Sequence, residues 1–120
     1  MSTRTIKGPR GPRPVRPADL LAAITRVEMT TIERGQAIAE HRRAQLRMAI
    51  VQQAIQRHGG RVTPEESTAL RAAREGEREA GRAAARAVRA ALEAEAEHQR
   101  LSVAVQVGAL ATQGIDAVID

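Results

Sequence analysis

Apolar residues recur along this chain with helical spacing on both sides of one polar break. The break is Arg57-His58-Gly59-Gly60-Arg61-Val62-Thr63-Pro64-Glu65-Glu66. Gly59 and Gly60 suit the left-handed backbone that closes a helix. Thr63 with Glu66 three residues on forms a capping box, and Pro64 fits the first helical position. Two acids then follow at the positive end of the helix dipole. The pattern predicts one helix over 18–58, a turn over 59–63 and a second helix from residue 64. The product is an all-α, coiled-coil-like antiparallel helical hairpin.

In the first helix a period of 3.6 puts Leu20, Leu21, Ile24, Val27, Thr31, Ile38, Leu46, Ala49 and Ile50 on one face. Gly35 and Arg42 interrupt that face, and Met29, Met48, Val51 and Ile55 fall beside it. In the second helix a heptad pattern is unbroken. One seam runs Leu70, Ala73, Glu77, Ala80, Ala84, Ala87, Ala91, Ala94, His98, Leu101, Val105, Gly108, Thr112, Ile115, Ile119. Its middle is alanine, so a partner helix must come close there. Over 101–120 two patterns compete. Val103, Val105 and Val107 alternate as in a strand, while the heptad seam passes through without a phase change. The reading taken is a C-terminal apolar helical segment, with a break allowed near Gly108.

Residues 1–17 show no apolar period. Prolines and glycines space Arg4, Lys7, Arg10, Arg13 and Arg16, which predicts an extended arm. Charge sharpens this division. The formal net charge is +5, and those five residues account for it, because 18–120 hold 14 Arg and 14 acids. The cationic arm suits a polyanion or an acidic surface on a neighbouring protein. On the second helix, Arg71, Arg74, Arg78, Arg82, Arg86 and Arg89 lie opposite the seam, with Glu75, Glu79, Glu93 and Glu97 beside them. That pattern suits a solvated face with intrahelical pairs. The rival reading is a stripe that contacts phosphates.

Composition limits what these helices can build. There is no Phe, Tyr, Trp or Cys. Leu, Ile and Val total 24 residues and Ala another 24. A thick core is out of reach, and long rods laid side by side are the expected solution. Without cysteine there is neither a disulfide nor a thiolate nucleophile. His41, His58 and His98 are widely separated, with no metal-binding spacing. No Gly-rich phosphate loop, nucleophile pattern or aromatic pocket lining is present. The expectation is a non-enzymatic protein without cofactor or metal.

The functional expectation is therefore a structural or assembly protein. It would self-associate through Leu70, Ala73, Ala80, Ala84, Ala87, Ala91, Ala94, Leu101, Val105, Ile115 and Ile119. The arm would dock on a neighbour, as small helical parts do in phage particles or secretion machines, a comparison by analogy only. The alternative is a nonspecific nucleic-acid-binding accessory protein using the arm and the Arg stripe. With five duplex phosphates neutralised, its log–log salt slope would be about −4 to −5. The expected partners are further copies of the chain and another protein, with no membrane span. The N-terminus lacks the apolar stretch of a secretory signal, so a cytoplasmic address, or a particle assembled there, is expected.

Overall fold

The structure, a computed structural model, describes residues 14–119, with 110–119 as helix only. Two helices make up the fold: α1, Pro17–Arg57, and α2, Pro64–Ile119. They pack against each other as an antiparallel hairpin, and no strand occurs among the described residues. At 1.5 Å per residue, α1 is about 62 Å long and α2 about 84 Å.

The turn closes as its residues dictate. Gly59 and Gly60 have φ of 72° and 84°. The Gly60 N–H donates to the Ile55 carbonyl at 3.1 Å, and the Gly59 N–H to the Gln56 carbonyl at 3.0 Å. This is the paired closure of a Schellman motif. On the other side, the Thr63 N–H donates to Glu66 Oε1 at 3.0 Å. The Glu66 N–H returns a bond to Thr63 Oγ1 at 3.1 Å. Four otherwise unpaired backbone groups at the helix ends are thereby satisfied. Gly59→Ala should cost about 1 kcal/mol, since a Cβ disfavours the left-handed region. An unchanged denaturation midpoint would contradict this closure.

The α2 seam faces α1 as the heptads require. Ala84, Ala91 and Ala94 are buried, and Leu70, Ala73, Ala80, Ala87, His98 and Leu101 are half-buried. The α1 face differs from the one that a 3.6 period selects. Its inward positions are Leu20, Ala23, Val27, Thr30, Arg34, Ala37, His41, Ala44, Met48, Val51 and Ile55, all buried or half-buried. Their spacing alternates three and four without a break. Leu21, Ile24, Thr31, Leu46, Ala49 and Ile50 point outward, while Met48, Val51 and Ile55 point in. Two causes combine: Leu21 and Ile24 are exposed from the start because the bulky residues lie on the outer side, and supercoiling widens the gap along the helix. Helices that stay in contact hold a 3.5-residue period, and a 3.6 reading drifts by about 20° per heptad. The two readings share Leu20 and Val27 and have parted by Leu46.

The core is thin. The fully covered apolar residues are Ala23, Ala44, Ala84, Ala91 and Ala94. Thr30 is buried with them, and its Oγ1 donates to the Arg26 carbonyl at 2.7 Å. That bond returns to the preceding turn of its own helix, so the hydroxyl needs no cross-helix partner. Alanine side chains let the two backbones approach, and each buried methyl contributes about 0.8 kcal/mol.

The helix does not break at Gly108, and α2 runs on to Ile119. The alternating valines therefore lie on a helix, following the heptad seam rather than the period of two. A strand there would have no second strand to pair with.

Candidate functional site

Antiparallel register sets what each face of the hairpin can do. His41 lies across from Glu77, with Nε2 2.8 Å from Oε2. At the open end, Asp19, Ala22, Ala23 and Arg26 share a shallow groove with Glu97 and Leu101. Since α1 begins at Pro17, α2 beyond about residue 104 extends past it. Val103, Val105 and Val107 are 44%, 41% and 59% exposed. The overhang carries on the apolar seam with no α1 residue opposite. Thus Leu70 to Leu101 of the expected association seam cover α1 of the same chain. Val105 stands beyond that cover. Ile115 and Ile119 fall on the overhanging helix, where side chains lie outside the description.

The six stripe arginines are all exposed on the side of α2 away from α1. Arg82 bonds Glu79 at 2.8 Å, and Arg78 approaches Glu75 at 3.8 Å. The Arg82 hydrogen bond holds the Glu79 carboxyl below its ordinary range. Arg71, Arg74, Arg86 and Arg89 have no carboxylate within ion-pair distance among the described residues. The stripe is thus a solvated face on which some arginines are closely paired and others are not, although Arg86 still acts on the Glu79 carboxylate through space. Of the arm, Arg4, Lys7, Arg10 and Arg13 lie outside the described residues. Arg16 caps α1: its N–H donates to Asp19 Oδ2 at 3.1 Å, and its guanidinium lies 3.6 Å from the same carboxylate.

The outer side of α1 holds the surface that a 3.6 period hides. Leu21, Met29, Ile32, Leu46 and Ile50 are between 56% and 65% exposed. A shallow depression there is lined by Val27, Glu28, Met29, Thr31 and Ile32. Near the turn, a groove between the helices is lined by Arg47, Ile50, Val51, Ala69, Ala72 and Ala73.

The histidines sit on helix faces rather than in a cleft. His58 lies 3.4 Å from Glu66 at the turn, and His98 Nε2 lies 3.5 Å from Ser102 Oγ. The His41–Glu77 bridge was legible in principle, because each residue is a polar interruption in its helix's seam. No group of three or more metal-binding side chains forms among the described residues. None of their helices is long and apolar enough to cross a membrane. No protein-family model, no curated protein and no solved structure matches the chain. The class that the fold defines is an all-α helical hairpin in which α2 runs on past the start of α1.

Proposed function

We propose that this chain is a non-enzymatic assembly protein that self-associates, with its cationic arm docking on a neighbouring protein. The observation that carries the reading is the overhang of α2. The heptad seam continues from Val105 with no helix opposite among the described residues, and 101–115 contains no charged residue. A helical face of this kind lowers its free energy by covering itself with another helix. The thin alanine core supports the same reading, since association adds burial that one hairpin cannot supply.

The test compares the solution mass of the full chain with that of a chain ending at residue 104. The full chain should be oligomeric at micromolar concentration, and the shortened one should lose mass per particle. A full chain that stays monomeric up to high concentration would end the proposal. A second reading, nonspecific nucleic-acid binding, draws on Arg71, Arg74, Arg86 and Arg89, which make no close ion pair among the described residues. It expects nucleic acid to copurify at low salt and to be lost steeply as salt rises. If nuclease treatment leaves the mass unchanged, this second reading falls.

A further inference from the structure

The outer face of α1 carries a second seam. Ala22, Met29, Ile32, Ala39, Leu46 and Ile50 fall on positions that alternate three and four, interrupted by Thr25, Gln36 and Arg43. Its middle is turned away from the α2 contact, Ala22 and Ile50 at its ends also line the grooves shared with α2, and its large members are exposed. The charges beside it are unevenly placed along the axis. Asp19, Arg26, Glu28 and Glu33 lie N-terminal to Gly35, and Glu40, Arg42, Arg43, Arg47 and Arg57 C-terminal to it. Among the described residues the exposed Glu28, Arg26 and Arg42 make no ion pair, whereas Glu40 is paired with Arg43 and Arg47, and Asp19 with Arg16.

We infer that this face binds a second copy of itself, α1 against α1 and antiparallel, with the two-fold axis at Gly35. The inference rests on the self-association reading and names one of its interfaces. Antiparallel pairing brings the net-acidic side of one copy, N-terminal to Gly35, against the net-basic side of the other. The seam permits registers seven residues apart, and charge chooses among them. With Gly35 opposite Gly35, Glu28 faces the second copy's Arg42, Arg26 faces Glu40, and Asp19 faces Arg47. The symmetry repeats each pair. Met29 then packs on Ala39 and Ala22 on Leu46. One like-charge meeting remains, Glu33 with its own copy at the axis. Slipping one heptad toward the turn sets Arg26 against Arg47 and Glu33 against Glu40. Slipping the other way sets Asp19 against Glu40 and Arg26 against Glu33, one repulsive and one attractive meeting. The first alternative is disfavoured by like charges, and the second lacks the three attractive meetings of the central register. At the axis Gly35 has no side chain, and a Cβ built there meets nothing of its own hairpin within 4 Å. The space is open for the second backbone, and an interface of this symmetry closes on itself.

The test uses charge reversal on the full chain. Glu28→Arg and Arg42→Glu should each weaken this association about ten-fold, since each turns two attractive meetings into repulsive ones. The double variant E28R/R42E should recover it. Both positions are exposed, and circular dichroism of each variant is the control for retained helix. As a second measurement, Gly35→Cys introduces the only cysteine of the chain and should cross-link copy to copy with a short bifunctional maleimide. Gln53→Cys, at the far end of α1, should not. A wild-type monomer would overturn both this interface and the assembly reading. An oligomer indifferent to both reversals and not linked through residue 35 would overturn this interface alone. The assembly would then depend on the α2 overhang.

Discussion

Replacing Ala91 with leucine should destabilise the hairpin by about 1–3 kcal/mol, although leucine is the larger apolar residue. Ala91 is 0% exposed. The register that sets His41 against Glu77 puts it opposite the turn of α1 from Val27 to Arg34. Thr30 in that turn is itself buried at 8% exposure. Three added carbons have no void to enter, so either the helices part or side chains leave their rotamers. Parting would uncover Ala84 and Ala94 as well, since one rod cannot bend away at a single layer. Ala85→Leu, on an exposed position of the same helix, should stay within about 0.5 kcal/mol. Thermal melts at one fixed protein concentration separate the two. A melting temperature that rises for Ala91→Leu would mean the alanine seam is not closely packed.

The same alanines explain what was legible before the structure. On α2 the seam is read correctly because Ala80, Ala84, Ala87, Ala91 and Ala94 leave the heptad as the only coherent period. On α1 the inward face is Ala23, Thr30, Arg34, Ala37, His41 and Ala44 through its middle. That face is less apolar than the outer one. A reading that follows bulk is drawn to Leu21, Ile24, Leu46 and Ile50, which the fold leaves in solvent. Hydrophobic size marks a core only when the partner has room for size, and an alanine-lined partner has none. The turn was legible for the opposite reason. Schellman closure and capping box depend on local backbone geometry, so Gly59, Gly60, Thr63 and Glu66 determine them without reference to tertiary contacts. Whether the α2 seam meets its own α1 or that of a sibling was not readable. Both partners present the same residues, and only the six-residue turn, followed in space, decides between them.

These two faces of α1 lead to one picture of the proposed assembly. The inner face and the α2 seam close the hairpin. The outer α1 face and the α2 overhang remain at different places on the rod. If each pairs with its own copy, every chain has two distinct neighbours, and the contacts alternate. Two such two-fold contacts on one subunit build a chain or a ring rather than stopping at a pair. Chains shortened after residue 104 should then stop at dimers, and charge reversal at Glu28 should leave a different dimer, joined through the overhang. A single mass measured for both variants together with the full chain would contradict alternation.

Two glycines of α2 should respond in opposite ways to the same substitution. Gly76→Ala should stabilise the hairpin by about 1 kcal/mol, the ordinary gain in helix propensity. A Cβ there meets nothing within 4 Å. Gly81→Ala should gain nothing or lose stability, because its Cβ would lie 3.2 Å from His41 Nε2 and 3.6 Å from Cε1. Exposed rings commonly swing aside from such a contact. This ring is tied: its Nε2 is bonded to Glu77 at 2.8 Å, and its side chain is only 28% exposed. Moving it by a few tenths of an ångström lengthens that bridge and presses the ring toward the seam. The cause is checked by repeating the substitution without the ring. In a His41→Ala background, Gly81→Ala should recover the gain of about 1 kcal/mol seen at Gly76. If Gly81→Ala stabilises equally in both backgrounds, His41 does not occupy the space beside Gly81, and the polar layer through the middle of the hairpin is wrongly placed.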